Sequence, residues 1–357
     1  MVMEPFTRLN LHELLRKDTV VHDNVVFRLH HQVNYFIILA GLVFIVGENY
    51  LNGKAIACKD GNDFIHQYCW LHATGYIPEH LSENSQNCFA DQDEFDHNNN
   101  RGQANHYLWL PIILVVCLVI VKTPRIFWRT FCEKGLMESI VQQRDDAEKI
   151  SMKFRRLKRR SLVYFISFIV CELLNISSLV ICFATLNAVL SENFVTYGKE
   201  IHDYYMNNGN VSTTNPMCNL FPTEVSCDVS SLGVQTNHDG NSDHVLCILS
   251  NNQFNQYYFL VLWIWWTFLL LISVIGLLYR LVQLSTPSAG EAMFRYSLVC
   301  HGLEHKVDRI DGLRSWDFFL LSRIVRNLRT REIESLLCEL SSKHVEQECM
   351  ILTEQNL

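Results

Sequence analysis

The sequence lacks the motifs on which most enzymes depend. It has no glycine-rich loop that would cradle a nucleotide phosphate, no nucleophile elbow and no constellation of carboxylates for acid and base catalysis. It also lacks a Cys-x-x-Cys or paired Cys-x-x-His spacing, which structural zinc sites use. We therefore expect no enzymatic activity, no metal and no other cofactor, and nothing in the sequence indicates a nucleic-acid partner.

Four long apolar segments are present instead. They cover residues 33–51, 107–123, 162–190 and 257–282. A helix needs about 20 predominantly apolar residues to cross the hydrocarbon core of a bilayer, and these segments are close to that length or longer. The sequence therefore predicts an all-α membrane protein in which each subunit is a bundle of four transmembrane helices. The alternative, four buried helices of a soluble protein, is disfavoured because charges are scarce within the segments.

Lysine and arginine are scarce in two of the segments that connect these spans. Residues 52–106 hold three of them and residues 191–256 hold one, against eleven in residues 124–161. Basic residues concentrate in cytoplasmic loops of membrane proteins. Residues 124–161 are therefore predicted to form a cytoplasmic loop, and the two segments poor in basic residues are predicted to be extracellular loops.

The two terminal segments are predicted to be cytoplasmic as well, because four spans return the chain to the side on which it began. Residues 1–32 contain no apolar h-region of a secretory signal, so the first span is expected to act as its own anchor. Within this segment, Phe6 and Leu9 belong to a short amphipathic helix that either enters a pore or lies on the membrane surface. Residues 283–357 have helical apolar periodicity, which predicts a helical cytoplasmic dome.

Six of the 13 cysteines fall in the two predicted extracellular loops, three in each loop. Disulfides persist in oxidising compartments, so this even distribution indicates a framework that staples the two loops together. Six cysteines allow fifteen connectivities. If the loops return to the membrane side by side, antiparallel nesting provides one hypothesis. Its pairs are Cys58 with Cys247, Cys69 with Cys227, and Cys88 with Cys218.

Polar residues near the spans are candidates for a water-filled path. A single four-helix subunit has too little room for a wide pore, so transport would need a ring of subunits around a shared axis. Glu48, near the outer end of the first span, either faces such a lumen or reaches the membrane interface. Glu172, in the third span, fits a hydrogen bond within the bundle better than a pore-lining position. Asn210 begins an Asn-Val-Ser sequon and is a candidate glycosylation site.

Eight short motifs occur in order along nearly the whole chain. The second span opens at His106 with HYLWL and ends with TPRIFW, which contains Pro124. The other six are VFRLH at 26–30, YCW at 68–70, CELL at 171–174, FPTEVSC at 221–227, CIL at 247–249 before WIWW at 263–266, and WDFFLL at 316–321. Together they resemble the innexins, the gap junction proteins of invertebrates, which have relatives in some insect-associated viruses. Tyr107 and Trp109 match the Y-Y-Q-W-V signature of that family, whereas His106 replaces its first tyrosine and Leu108 its glutamine.

The resemblance implies a channel made of several subunits. Eight subunits would form a ring in the plasma membrane, and Phe6, Leu9 and Glu48 would belong to the segments that line its pore. The extracellular loops would dock onto a ring in the adjacent cell. Ions and small metabolites would then pass from cell to cell through a gap junction.

The resemblance also divides the six loop cysteines into two sets. Most innexins carry two cysteines in each extracellular loop, and four cysteines of this chain correspond to them. These are Cys58, Cys69, Cys227 and Cys247. Cys88 and Cys218 then form an additional pair, one in each loop, whose bond would close a long loop.

Two alternative functions remain at this stage. The first is an undocked hemichannel that releases small solutes to the outside, since a glycan at Asn210 would hold two rings apart. The second is a tetraspan adhesion or scaffold protein without a pore.

Overall fold

Four helices of the structure are long and apolar enough to cross a membrane. The computed structural model describes residues 24–47, 56–59, 63–72, 106–133, 135–143, 146–190, 193–206, 215–229, 244–299, 301–303, 307, 310 and 312–341. Within them the candidate spans are Val25–Val46, Trp109–Glu133, Ser161–Val189 and Ser250–Ser285, here called the first to fourth span helices. The protein is therefore mostly helical with four candidate membrane-spanning helices, as the apolar segments predicted.

The span helices do not end where the apolar segments end. The fourth has 36 residues and at 1.5 Å per residue is about 54 Å long, whereas a hydrocarbon core is about 30 Å thick. The second belongs to a helix that begins at His106, and its last turns, Trp128–Glu133, are π-helical. The ends of these helices therefore do not mark where the chain enters or leaves the membrane, and the membrane boundaries stay predictions.

Contacts between residues divide the chain into two compact units. The first unit comprises the described parts of Met1–Phe27, Arg125–Leu173 and Ile275–Leu357. Besides the ends of span helices, its described residues form five helices: Leu136–Val141, Ala147–Lys158, Pro287–Val299, Ser315–Val325 and Thr330–Leu340. Their apolar faces share one buried cluster that includes Phe154 and Leu321. Removal of these apolar side chains from water holds the short helices together.

Carboxylates and one glycine fix how these short helices begin and approach each other. Asp146 accepts a hydrogen bond of 3.0 Å from the main-chain N–H three residues later. Asp317 and Glu332 accept bonds of 2.9 and 2.8 Å from the N–H that precedes their helices. These N–H groups would otherwise lack a helical partner. A Cβ atom at Gly290 would lie 2.6 Å from the Cα of Ser315, so only glycine allows that approach.

The second unit comprises the described parts of Arg28–Pro124 and Leu174–Val274. Trp266 lies fully buried in its largest apolar cluster. The ring contacts Phe183 and Phe194 edge to face, at centroid distances of 5.1 and 6.2 Å. Its Nε1 donates a hydrogen bond of 2.8 Å to Oδ1 of Asn34. This buried hydrogen bond fixes the position of the first span helix along the fourth, whereas apolar contacts alone would let one helix slide past the other.

Two strands and a shorter third form a sheet in the second unit. The strands are β1, Ala57–Cys58; β2, Glu224–Asp228; and β3, His244–Ile248. Both pairings are antiparallel, and the order is β1-β3-β2. The sequence predicts only loops for these segments, so the sheet is an addition to the predicted fold.

Candidate functional site

The sheet buries one face against an apolar cluster because its residues alternate. In β2 and β3, Val225, Cys227, Val245 and Cys247 are buried, whereas Ile248 is half exposed. Side chains of successive strand residues point to opposite faces, and valine suits such a half-buried surface. The buried face is completed by further apolar residues: Ile56, Ile65, Val229 and Leu249.

Two disulfides join the sheet across long stretches of sequence. Cys58 of β1 lies directly opposite Cys247 of β3 and is bonded to it. Cys69, in the helix Asp63–His72, is bonded to Cys227 of β2, with 5.7 Å between the Cα atoms. The bonds bridge 189 and 158 residues of sequence. The structure thus ties the segment after the first span helix to the segment before the fourth.

Of the two remaining cysteines in the predicted loops, the structure describes one. Cys218 is buried and disulfide-bonded. Cys88, its hypothesised partner, lies outside the described residues. The Sγ atoms of Cys58, Cys69 and Cys247 all lie within 4.8 Å of one another. Metal ligation requires thiolates, and these sulfurs are already bonded in disulfides, so the group does not fit a metal.

Polar side chains at the start of the fourth span helix hold the segment before β2. Asn252 Nδ2 donates 2.7 Å to the carbonyl oxygen of Pro222, and Gln256 Nε2 donates 2.8 Å to that of Phe221. Both polar residues are almost fully buried. Neither residue was predicted from the sequence, although two amides four residues apart at the start of an apolar helix lie on one face and are a usable signal. They fix the loop by satisfying buried carbonyls.

The helix Tyr197–Met206 attaches to the same span helix. Gly198 faces the ring of Trp263 so closely that a Cβ atom would overlap it. The indole Nε1 of Trp263 donates 3.0 Å to the carbonyl oxygen of Val195. Tyr197 donates 3.0 Å to the carbonyl oxygen of Gln256. Burial, with a smaller effect of the nearby Tyr205, raises the pKa of the Tyr197 phenol above its ordinary value, so it stays a neutral donor at physiological pH.

Several residues singled out from the sequence lie outside this region or outside the described residues. Phe6, Leu9, Glu48 and Asn210 are outside the described residues. His106 and Tyr107 are the first residues of the helix that contains the second span, and Trp109 is more than half exposed. Pro124 lies inside that helix, four residues before its π-helical turns.

Comparisons with known proteins match nearly the whole chain. A family model described as Innexin matches residues 23–344. The chain is 25% identical to Innexin inx3 of Drosophila melanogaster over 346 residues, which cover 90% of this chain and 85% of that protein. It is 25% identical to Innexin inx2 of the same species over 350 residues, covering 92% and 93%. To Innexin shaking-B it is 24% identical over 361 residues, covering 93% of each.

Proposed function

The chain belongs to the innexin family, and from that premise we propose that it is a subunit of a gap junction channel. Eight copies form a ring in the plasma membrane, each crossing it four times. Two rings in adjacent cells dock through their extracellular loops. Ions and small metabolites then pass between the cells by passive flow, without catalysis.

The observation that carries this proposal is the disulfide-linked sheet. Two bonds join segments that lie 189 and 158 residues apart, over a buried apolar cluster. A docking surface that is rigid before contact loses less conformational entropy on binding than a mobile loop. We assign this sheet, with Cys58, Cys69, Cys227 and Cys247, to the extracellular side, where disulfides persist. The proposed bond between Cys88 and Cys218 adds a third link there.

The exposed faces of the span helices support assembly into a ring. In the single subunit, about a third of the most apolar stretch of the first span helix is buried, and 22% of that of the fourth. Val43 of the first span helix is 64% exposed. Such faces require lipid or a neighbouring subunit, and a closed ring provides both. In this ring Phe6, Leu9 and Glu48 line the pore, and the first unit forms the cytoplasmic dome.

Imaging and recording test the channel itself. The full chain, purified and viewed in projection, should show rings of eight subunits, and the same preparation in a planar bilayer should conduct. Glu48→Gln should lower the preference for cations if this carboxylate lines the lumen. A purified ring that does not conduct would favour the scaffold alternative, and an unchanged cation preference would remove Glu48 from the pore.

Docking requires a separate test in paired cells. Dye should pass between two cells that express the chain, and the variant with Cys69 and Cys227 both changed to Ala should lose this transfer. Cys132→Ala, which removes a free thiol, is the matched control and should retain it. Dye uptake by single cells without transfer between pairs would support the hemichannel instead. Asn210→Gln then shows whether a glycan is what prevents docking.

A further inference from the structure

The described residues of the first unit include a group of buried cations that have few acceptors among them. Arg280, near the end of the fourth span helix, and Arg323, in the helix Ser315–Val325, are 5% and 3% exposed. Both guanidinium groups lie over the same two rings, those of Phe168 and Phe319. The distances from Cζ to the ring centroids are 5.5 and 5.1 Å for Arg280, and 4.4 and 5.4 Å for Arg323.

Among the residues that the structure describes, the carboxylate that faces these cations is that of Glu172. Oε1 of Glu172 lies 3.6 Å from Nε of Arg280, and the same oxygen accepts 2.9 Å from Nδ2 of Asn24. A third arginine, Arg326, follows Arg323 by three residues and is the exposed member of the group. Partial burial, and then the charges of Arg323 and Arg280, lower the pKa of Arg326 to about 10. Arg326 is the C-cap residue of the helix Ser315–Val325 and follows Arg323 by about one turn, so these two cations lie on the same face of the helix.

Unused hydrogen-bond donors are concentrated in the same place. Among the described residues, Nε, Nη1 and Nη2 of Arg323 are buried without an acceptor. Nε2 of Gln283, whose Oε1 accepts from Arg280, also lacks an acceptor, and Nε of Arg280 makes no hydrogen bond but only the 3.6 Å ion pair with Glu172. One acceptor nearby is unused as well, Oε2 of Glu172, so the donors without a bond outnumber it. The faces of the two rings stabilise a positive charge. They do not accept hydrogen bonds from the guanidinium N–H groups, which point outward in the plane of the guanidinium. Buried charge in this state is costly unless an anion compensates it.

We propose that Arg280, Arg323 and Arg326 form a binding site for a phosphate group. Guanidinium groups present parallel N–H donors that match phosphate oxygens, and three of them suit an anion of more than one charge. Phe168 lies in the third span helix close to its start, and Arg280 lies close to the end of the fourth. Head groups of anionic phospholipids occur at the ends of membrane spans, so a phosphorylated inositol lipid is the source to which we assign the phosphate. A soluble phosphate compound has the same chemistry. Arg326 marks the accessible side of the site.

Binding is measured on the full chain in detergent, after lipid and phosphate have been washed out. Short-chain phosphatidylinositol bisphosphate is titrated while the melting temperature is followed by intrinsic fluorescence. The parent chain should be stabilised, whereas short-chain diacylglycerol, which lacks the phosphates, should have no effect. Inositol trisphosphate and inorganic phosphate are titrated in a parallel experiment. Stabilisation by them at equal concentration would identify a soluble source, and a requirement for the acyl chains would identify the lipid.

Three variants separate this site from general attraction to a basic surface. Arg326→Gln changes an exposed residue and should fold, and Arg323→Met replaces the buried cation by an apolar chain of similar length. Each should lower the affinity for the lipid roughly tenfold or more, because a charge-assisted bidentate contact is lost. Arg323→Met should also melt higher than the parent without ligand, since the uncompensated charge is gone. Arg156→Gln removes one exposed charge from the same unit and should bind like the parent.

The site would be refuted by either of two results. One is a parent chain that none of the phosphate compounds stabilises. The other is equal affinity of the parent, Arg326→Gln and Arg156→Gln chains, which would mean that the lipid follows overall charge and not this cluster. Neither result bears on conduction or docking, so this proposal and the channel proposal can fail separately.

Discussion

Removing the Cys69–Cys227 disulfide should loosen the sheet while the Cys58–Cys247 bond remains. The perturbation is the double change of Cys69 and Cys227 to Ala, which leaves no odd thiol. With the Cys58–Cys247 bond closed, the second bond completes a ring whose length is the difference between the two sequence separations, 189 and 158 residues, or 31. The chain entropy of closing a ring of that length corresponds to about 3.7 kcal/mol at 25 °C.

Hydrogen exchange read by mass spectrometry measures this loss directly. Peptides that cover β2 and β3 report how often the sheet opens, and the calculated loss corresponds to exchange faster by a factor on the order of 10² to 10³. Cys132→Ala serves as the control and should leave exchange in these peptides unchanged. Exchange in the double variant that stayed within about threefold of the parent would refute the reasoning, because the apolar cluster alone would then hold the sheet.

Three further substitutions test contacts inside the two units. Gly290→Ala should lower the free energy of unfolding by about 1–3 kcal/mol, because the new Cβ meets the backbone of Ser315. Gly47→Ala is its control and should leave the melting temperature unchanged, because there is open space around the new atom. Tyr197→Phe should cost about 0.5–1.5 kcal/mol at neutral pH. Because folding raises the pKa of this phenol, the unfolded chain releases the proton first and the parent loses stability as pH rises above about 10. In the phenylalanine variant that decline should be shallower, and identical slopes would contradict the assignment. Glu172→Gln should cost about 3–5 kcal/mol in thermal unfolding, because it leaves a buried arginine without its ion pair, and a cost below about 1 kcal/mol would show that the pair is not needed.

The polar contacts between distant segments were not predictable in the same way as the spans. Asn34 is one of several polar residues at the edge of an apolar segment, and nothing near it in sequence indicates that Trp266 is its partner. The sheet was not predictable from the sequence for a similar reason. β1 has two residues and pairs with a strand about 190 residues later, so its partner is not visible in a local window. Short alternation such as that of His244–Ile248 is too weak a pattern to distinguish a strand from a loop.

Local patterns in the sequence are enough to predict four apolar helices of membrane length, two sets of three loop cysteines and the motifs of an innexin. These properties are local, because hydropathy and spacing add up along the chain without reference to the fold. The folded structure shows in addition that three of those cysteines lie in one sheet and that a fourth, Cys69, joins it from a helix. It also decided that Arg280 and Arg323, 43 positions apart, lie over the same two rings. Charge compensation depends on distances in space, and the chain brings these groups together only when it packs.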